Sequence, residues 1–356
     1  MKKGLMAKVF YKYLGKTETW PHITNVSPSS LTYDDVYIVP QNSPVASRTV
    51  VDTSVKLGPY TLSKPIISAP MDTITGERMI RELARLGAMG TLPRGDLEER
   101  KAICKRLSTE NIPCMYAISL KNGYDEAVEL KKRGAQLVVV DVAHGGSIPA
   151  QELAQKIKDK LDIAVVVGNI VTYTEALSYK KHGIDIAKVG VGPGGLCKTR
   201  VVAGTGFPQL SAVFEVTEAG LPVIADGGIK QAGDAAKAIA AGASVVMIGS
   251  LFAGTDETPG EYTMNGKKLA RGQASLEYMR DNSISTNEFR AAEGISVEID
   301  PRGPVARIVE ELMGGLRSAM TYTGAQNIKE FQEKAQFIVV TTSAQLEGVP
   351  WIKSVL

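Results

Sequence analysis

The sequence predicts an α/β protein built as a single (β/α)8 barrel (TIM barrel), and three observations carry that reading. Eight short apolar, β-branched runs recur, bounded by Gly, Pro, Asn, Asp or Ser: 64–70, 88–93, 113–119, 136–143, 164–170, 186–192, 222–228 and 245–252. Continuous apolar runs suit parallel strands buried on both faces, where a half-exposed sheet would alternate. Helical patterns lie between most of them, at 75–88, 96–111, 124–135, 149–161, 172–184 and 232–243. Several end in Lys or Arg followed by Gly, a helix stop. Most units repeat at about 22–28 residues, the βα step of such a barrel. The alternative, a doubly wound open sheet, lacks its GxGxxG after the first run.

The elements beyond the barrel repeat follow. After the eighth run come an apparent hairpin at 261–272, a polar segment and a final helix near 303–319. The expected organisation is an N-terminal arm at 1–23, a catalytic barrel at 24–340 with a flap at 262–300 and no inserted domain, and a tail at 341–356. The 41 basic and 38 acidic residues are well mixed, so no basic stripe argues for nucleic acid. Three cysteines, Cys104, Cys114 and Cys197, are odd in number and lack CxxC spacing. That argues against a disulfide framework or zinc site and for a reduced, cytoplasmic compartment. The basic N-terminus lacks the apolar core of a signal peptide. No apolar run reaches the roughly 20 residues of a membrane helix.

The sixth-to-seventh step is the exception to the repeat. It stretches to about 36 residues and carries GPGGLCKTRVVAGTGFPQLSA at 192–212. Barrel chemistry sits on loops that follow strands, and this loop is too long for mere connection. Cys197 is open to two readings, a small core residue or a nucleophile. Gly194, Gly195, Lys198, Thr199 and Arg200 around it weaken the first. Glycine-rich backbone N–H groups and basic neighbours would favour a reactive thiolate. IADGG (224–228) and MIGS (247–250) end the last two strands, where loops often cradle phosphate. Asp226 there can accept from a ribose hydroxyl, although tight turns alone also call for such glycines. Asp141, His144 and Asn169 share the same rim. His144 is either a general acid or base, or a structural hydrogen-bonder. No His/Asp/Glu cluster has metal-ligand spacing. In FRAAEG (289–294), Arg290 and Glu293 are a solvated pair, unless the loop folds over the mouth and makes Glu293 an acid/base.

Taken together these motifs resemble the IMP dehydrogenase/GMP reductase family. The resemblance runs from LTYDDVYIVP (31–40) through SAPMDT (68–73), DVAHG (141–145), the cysteine loop, IADGG, MIGSLFAG and EGISVEI (293–299) to GGLRSAMTYTGA (314–325). It implies the eight-fold barrel and a cysteine that attacks purine C2 of a nucleoside monophosphate. Hydride then moves between nicotinamide and C2 through a covalent thioimidate. The dehydrogenase branch oxidises IMP with NAD and hydrolyses the adduct to XMP. The reductase branch displaces ammonia from GMP and reduces the adduct with NADPH to IMP.

Three features are similar to the reductases. No CBS-domain pair follows the second strand, no Arg-Tyr pair occurs between Gly272 and Glu293, and FRAAEG, GTGFPQLSAV and SAMTYTGA have reductase forms. IADGGIK and GSLFAG are instead similar to dehydrogenases. The resemblance implies Cys197, Thr199 and Glu293 as catalytic residues. It implies Ser68, Met71, Gly195, Asp226, Gly227, Gly228, Gly249, Ser250, Gly272, Gln273, Arg290 and Gly294 as the purine-nucleotide site. For NADPH it implies Asp141, His144, Gly145, Asn169 and Arg200, and for a monovalent cation such as K+ the carbonyls of Gly192, Gly194 and Cys197. It also implies a homotetramer. Gly195 stands where the family usually has Ser, Lys198 where it has Thr, and Gln273 where it has Met. These departures leave a related purine nucleotide open as substrate, besides a dehydrogenase lacking CBS domains. An FMN-dependent barrel oxidoreductase and a non-catalytic nucleotide-binding regulator are the competing classes.

Overall fold

Each of the eight expected runs forms one strand of a parallel sheet. In chain order these are β1 (Ile66–Ser68), β2 (Gly90–Leu92), β3 (Cys114–Ile118), β4 (Leu137–Asp141), β5 (Ala164–Ile170), β6 (Ile186–Val189), β7 (Val223–Asp226) and β8 (Val245–Ile248). The structure, a computed structural model, describes residues 30–282 and 291–348. From β2 to β8 each strand pairs with the next, and β8 pairs with β1. The β1–β2 seam closes through an Ile67–Met89 bridge, with the Ser68 and Met89 N–H groups donating across it at 3.1 Å each. The result is a closed barrel.

Period-2 alternation divides the strand residues between two cores. Ile67, Met115, Val139, Val166, Ile186, Ile224 and Met247 point inward and fill the barrel. A short hairpin, Val55–Leu57 with Tyr60–Leu62, plugs the floor with Leu57 and Leu62. The alternate residues point outward against the helices.

Those helices are α1 (Glu77–Arg85), α2 (Leu97–Thr109), α3 (Gly123–Lys131), α4 (Ile148–Leu161), α5 (Tyr173–Lys181), α6 (Gln209–Thr217), α7 (Ala232–Ala240) and α8 (Val305–Tyr322). Local chemistry starts several of them. The Asp96 carboxylate accepts from Glu99 N–H at α2, and Thr172 with Glu175 forms a capping box at α5. Helix α2 follows β2 directly, so no domain is inserted there. Helix α6 has no counterpart among the expected patterns. Seven of its nine residues are buried, so it lacks the polar face that periodicity reads. Helix α8 packs on α7 and α1 and completes the ring.

The long segment between β8 and α8 is therefore an insertion over the mouth. Its strands β9 (Lys268–Arg271) and β10 (Ser296–Ile299) pair antiparallel. The hairpin expected at 261–272 is corrected here. Asn265 and Gly266 make only a tight turn, closed by Gly266 N–H to Thr263 O at 2.8 Å and Thr263 N–H to Lys267 O at 2.7 Å. The strand after that turn pairs with β10 instead, because β10 brings Val297 and Ile299 to pack on the core.

At the N-terminal side, Val36–Ile38 pairs antiparallel with Phe337–Val339. The Phe337 ring meets Phe214 of α6 edge-on, with centroids 5.5 Å apart. Among the described residues no helix is long and apolar enough to cross a membrane. Phe214 is 1% exposed, so Phe214→Ala should cost about 3–5 kcal/mol, read as a lowered midpoint in denaturant unfolding followed by circular dichroism.

Candidate active site

Alternation that fills the barrel with apolar residues also sets its top layer. Two residues beyond Val139, Ile186 and Ile224 stand Asp141, Lys188 and Asp226, on the same inward face. The Lys188 side chain is 3% exposed, and its Nζ lies 2.9 Å from Asp141 Oδ1 and 2.9 Å from Asp226 Oδ2. It also donates to Asn169 Oδ1, and the Asn169 amide donates to Asp226 Oδ2 at 2.9 Å and to Gly190 O. Burial alone would lower the Lys188 pKa, but the carboxylates of Asp141 and Asp226 outweigh it and hold the pKa above the ordinary lysine value. The group stays an ammonium. Gly168 of β5 makes the room: a Cβ there would sit 2.4 Å from Lys188 Cβ. Lys188 was missed from sequence. Its signal was a lysine in phase with Ile186 inside an otherwise apolar run.

The loop after β6 carries Cys197, which is exposed, with its thiol donating to Thr199 Oγ1 at 3.2 Å. Thr199 opens a short helix, Thr199–Val202. The loop is stitched to the flap through backbone: Lys198 N–H donates to Glu293 O at 2.6 Å and Ile295 N–H to Leu196 O at 3.0 Å, around a Cys197–Gly294 antiparallel bridge. Gly294 is needed there, since its Cβ would lie 2.9 Å from Ser275 N. Cys197, Thr199, Glu293, Gly272 and Gly294 are thus brought together. Arg200 turns back on its own loop and donates to the carbonyls of Val191 and Phe207.

Beside the cysteine loop lies a glycine cradle. Gly227 adopts φ +94°, and a Cβ on it would lie 2.9 Å from Pro193 Cγ and 3.1 Å from Gly194 N. A Cβ on Gly195 would stand 3.4 Å from Ser250 Cβ, an ordinary contact, so nothing in the packing demands glycine at 195. The N–H groups of Gly195, Gly228, Gly249 and Ser250 donate to no group among the described residues. Free donors at the ends of β7 and β8, with Gly195 beside Ser250, suit an anion. Arg302, also missed from sequence, donates to Ser250 O at 2.8 Å and Leu251 O at 3.0 Å and braces this turn.

On the adjoining wall, after β1, Met71 Sδ lies 3.4 Å from where a Gly249 Cβ would be. The Gln273 amide donates to Pro70 O, and its carbonyl accepts from Arg94 at 3.2 Å. Arg271 anchors the flap root by clasping Asp72 at 3.1 and 3.3 Å through Nε.

Ser68 does not reach the mouth. Ile67 and Ala69 take the inward positions of β1, so Ser68 is buried in the wall, where its Oγ accepts from Thr75 Oγ1 at 2.8 Å. The His144 side chain is 68% exposed, its Nδ1 3.7 Å from Glu175 Oε1. Gly145 N–H donates to Asn169 O at 2.8 Å and holds the β4 loop to β5. Arg290 lies outside the described residues. Among the described residues no three His, Cys, Asp or Glu gather to hold a metal ion.

The fold and its mouth define the class, a (β/α)8 barrel that presents an exposed cysteine on the loop after β6. Residues 30–351 match the IMP dehydrogenase / GMP reductase domain, and the chain belongs to that family, whose enzymes use a nicotinamide cofactor. The chain is 43% identical over 251 residues to an inosine-5'-monophosphate dehydrogenase of Methanocaldococcus jannaschii, covering 64% of this chain and only about half (51%) of that relative. It is 35% identical over 317 residues to a GMP reductase of Streptococcus agalactiae, covering 87% of this chain and 95% of the relative. The crystal structure of a Trypanosoma brucei GMP reductase variant in complex with guanosine 5'-monophosphate superposes with TM-score 0.87 at 27% identity, covering 92% of this chain and 99% of that one.

The cysteines differ in a way that can be measured. Cys104 and Cys114 are fully buried, and burial raises both thiol pKa values, that of Cys114 to about 12. Iodoacetamide at pH 8 should therefore alkylate the native protein once, at Cys197, with all three sites modified only after denaturation. Peptide mass spectrometry reads the outcome.

Proposed function

We propose that the protein catalyses the NADPH-dependent reductive deamination of GMP to IMP and ammonia through a covalent adduct on Cys197. The observation that carries this is the backbone stitching of the flap to the cysteine loop. It holds Glu293 beside Lys198 while the Cys197 thiol meets the Thr199 hydroxyl. In this reading the Cys197 sulfur bonds to purine C2. The amine at C2 takes a proton relayed from Glu293 through Thr199 and leaves as ammonia, restoring the C2–N double bond as a thioimidate. NADPH, when bound, supplies the hydride that reduces C2. The carbon–sulfur bond then breaks, and the electron pair returns to Cys197.

The free N–H groups of Gly195, Gly228, Gly249 and Ser250 would take the phosphate, with exposed Lys198 adding charge. Asp226 would accept from the ribose, and Met71 and Gln273 would face the base; a base contact for Arg290, outside the described residues, rests on the family resemblance alone. At the ends of β4 and β5, exposed His144 and the outer edge of Asp141 would meet the cofactor's carboxamide and sugar hydroxyls, with Gly145 and Asn169 on the cofactor side holding the two loops together. Arg200 would hold the cofactor's neighbourhood by bracing the loop. The carbonyls of Gly192, Gly194 and Cys197 are donors of the kind K+ takes. We also propose a homotetramer; helix α7 is not the face that would build it, because seven of its nine residues are already buried within the chain.

A second reading is favoured by the higher identity to a dehydrogenase, 43% against 35%: oxidation of IMP with NAD to XMP. Hydrolysing the adduct needs a base that activates water, and no Arg-Tyr pair lies between Gly272 and Glu293 to serve. GMP with NADPH should therefore bleach the nicotinamide absorbance and release ammonia, while IMP with NAD yields no XMP. XMP formation at a rate rivalling GMP reduction would decide for the dehydrogenase. Cys197→Ala should abolish turnover and still bind nucleotide. Glu293→Gln should lower kcat by about 10²–10⁴-fold with little change in KM for GMP.

A further inference from the structure

We propose that Lys188 is a positioning residue that couples the nucleotide side of the mouth to the cofactor side. An ammonium has three N–H donors. Those of Lys188 meet three acceptors: Asp141 Oδ1 and Asp226 Oδ2 at 2.9 Å each, and Asn169 Oδ1. With its donors committed and its side chain 3% exposed, Lys188 has nothing left to offer a ligand. Its partners do: the Asp226 side chain is 24% exposed and that of Asp141 11%. Each therefore presents a free edge to the mouth while its inner oxygen is pinned. The three partners come from β7, β4 and the end of β5, so one buried charge fixes side chains from three separate strands.

The assignment of Asp226 to the nucleotide and of Asp141 and Asn169 to the cofactor rests on the function proposed above. Given it, both ligands select the same arrangement of one shared cluster. Lys188 holds the cluster near that arrangement, the first ligand removes its remaining freedom, and the second then has less ordering to pay for, which is positive coupling. Gly168, which leaves space for the Lys188 stem, and Asn169, which donates onward to Asp226, show that the cluster is built rather than incidental.

The test uses the Cys197→Ala protein, in which both ligands bind without turnover. GMP and IMP are titrated alone and with saturating NADPH or NAD by calorimetry. With Lys188 present, cofactor should tighten nucleotide binding by about 10-fold. In Lys188→Met the tightening should fall below about twofold, and Lys188→Arg should recover part of it. A purely structural role would weaken both ligands and leave their coupling alone. Full coupling in Lys188→Met, or none in the Lys188 protein, overturns the proposal. If neither GMP nor IMP binds at all, the substrate reading fails by itself. The positioning role is then decided by the ligand-free crystal structure of Lys188→Met, where Asp226 and Asn169 should leave their places, and unchanged side chains would overturn it. Should Lys188→Met fail to fold, the Lys188→Met/Asp141→Asn double variant, which keeps the cluster's net charge, is measured against Asp141→Asn alone, so that the altered cofactor contact is common to both; coupling equal in the two overturns the proposal.

Discussion

Closure of the barrel is the constraint on which everything at the mouth depends. The seam between β1 and β2 is short, a bridge at Ile67–Met89 with hydrogen bonds to either side. Once it closes, the strands tilt around a common axis and their inward residues converge in layers. Apolar layers below, from Ile67 to Met247, supply the packing. The top layer is polar because three strands carry a charged residue at the next inward position. An open sheet with the same strands would leave Asp141, Lys188 and Asp226 side by side on one face, without the curvature that makes them meet.

The mouth therefore places a buried ion cluster over a dry core, an arrangement with a cost. Removing a lysine and two carboxylates from water is unfavourable, and mutual attraction offsets it only when the remaining donors and acceptors find partners. Asn169 supplies these, bonding Lys188 through its carbonyl and Asp226 through its amide. Clusters of this kind are retained where function needs fixed charge, and this one lies at the C-terminal end of the strands, the barrel's reactive end. The opposite end is sealed by the apolar hairpin that carries Leu57 and Leu62, where no chemistry is called for.

The flap shows how a segment inserted late in the chain becomes part of the site. It leaves after β8 and returns to α8, so both of its ends are anchored in the barrel. Arg271 ties its root to Asp72, and Gln273 ties it to the β1 loop. Its return strand runs beside the cysteine loop, so Glu293 and Gly294 reach Cys197 by backbone pairing. Backbone contacts of that kind tolerate side-chain change. They leave Lys198, which joins through its backbone N–H, free to differ from the residue the family usually carries there.

How much of this was legible in the sequence follows from range. Local and periodic features were: the eight strands, seven of the eight helices, the overlong cysteine loop and the glycine turns after β7 and β8 all announce themselves within a few residues. The Asp141, Asn169 and Asp226 rim followed, because strand ends are local features too. Helix α6 was not legible, since a helix buried nearly all round shows no amphipathic period. The hairpin at 261–272 was misread because Asn-Gly fixes a turn but cannot choose the strand's partner, and β10 lies well downstream. Ser68 looked available in a strand-end motif, but the pleat turned it into the wall. Lys188 showed only as a lysine in phase with Ile186, and its role, like that of Arg302, rests on neighbours distant in sequence. By itself the sequence determined which segments are strands and which loops are rich in reactive groups, because those are set by local sterics and periodic burial. Only the tertiary structure decided which charges share a layer and which backbone the cysteine loop pairs with, because barrel closure and the flap's return set those contacts in three dimensions.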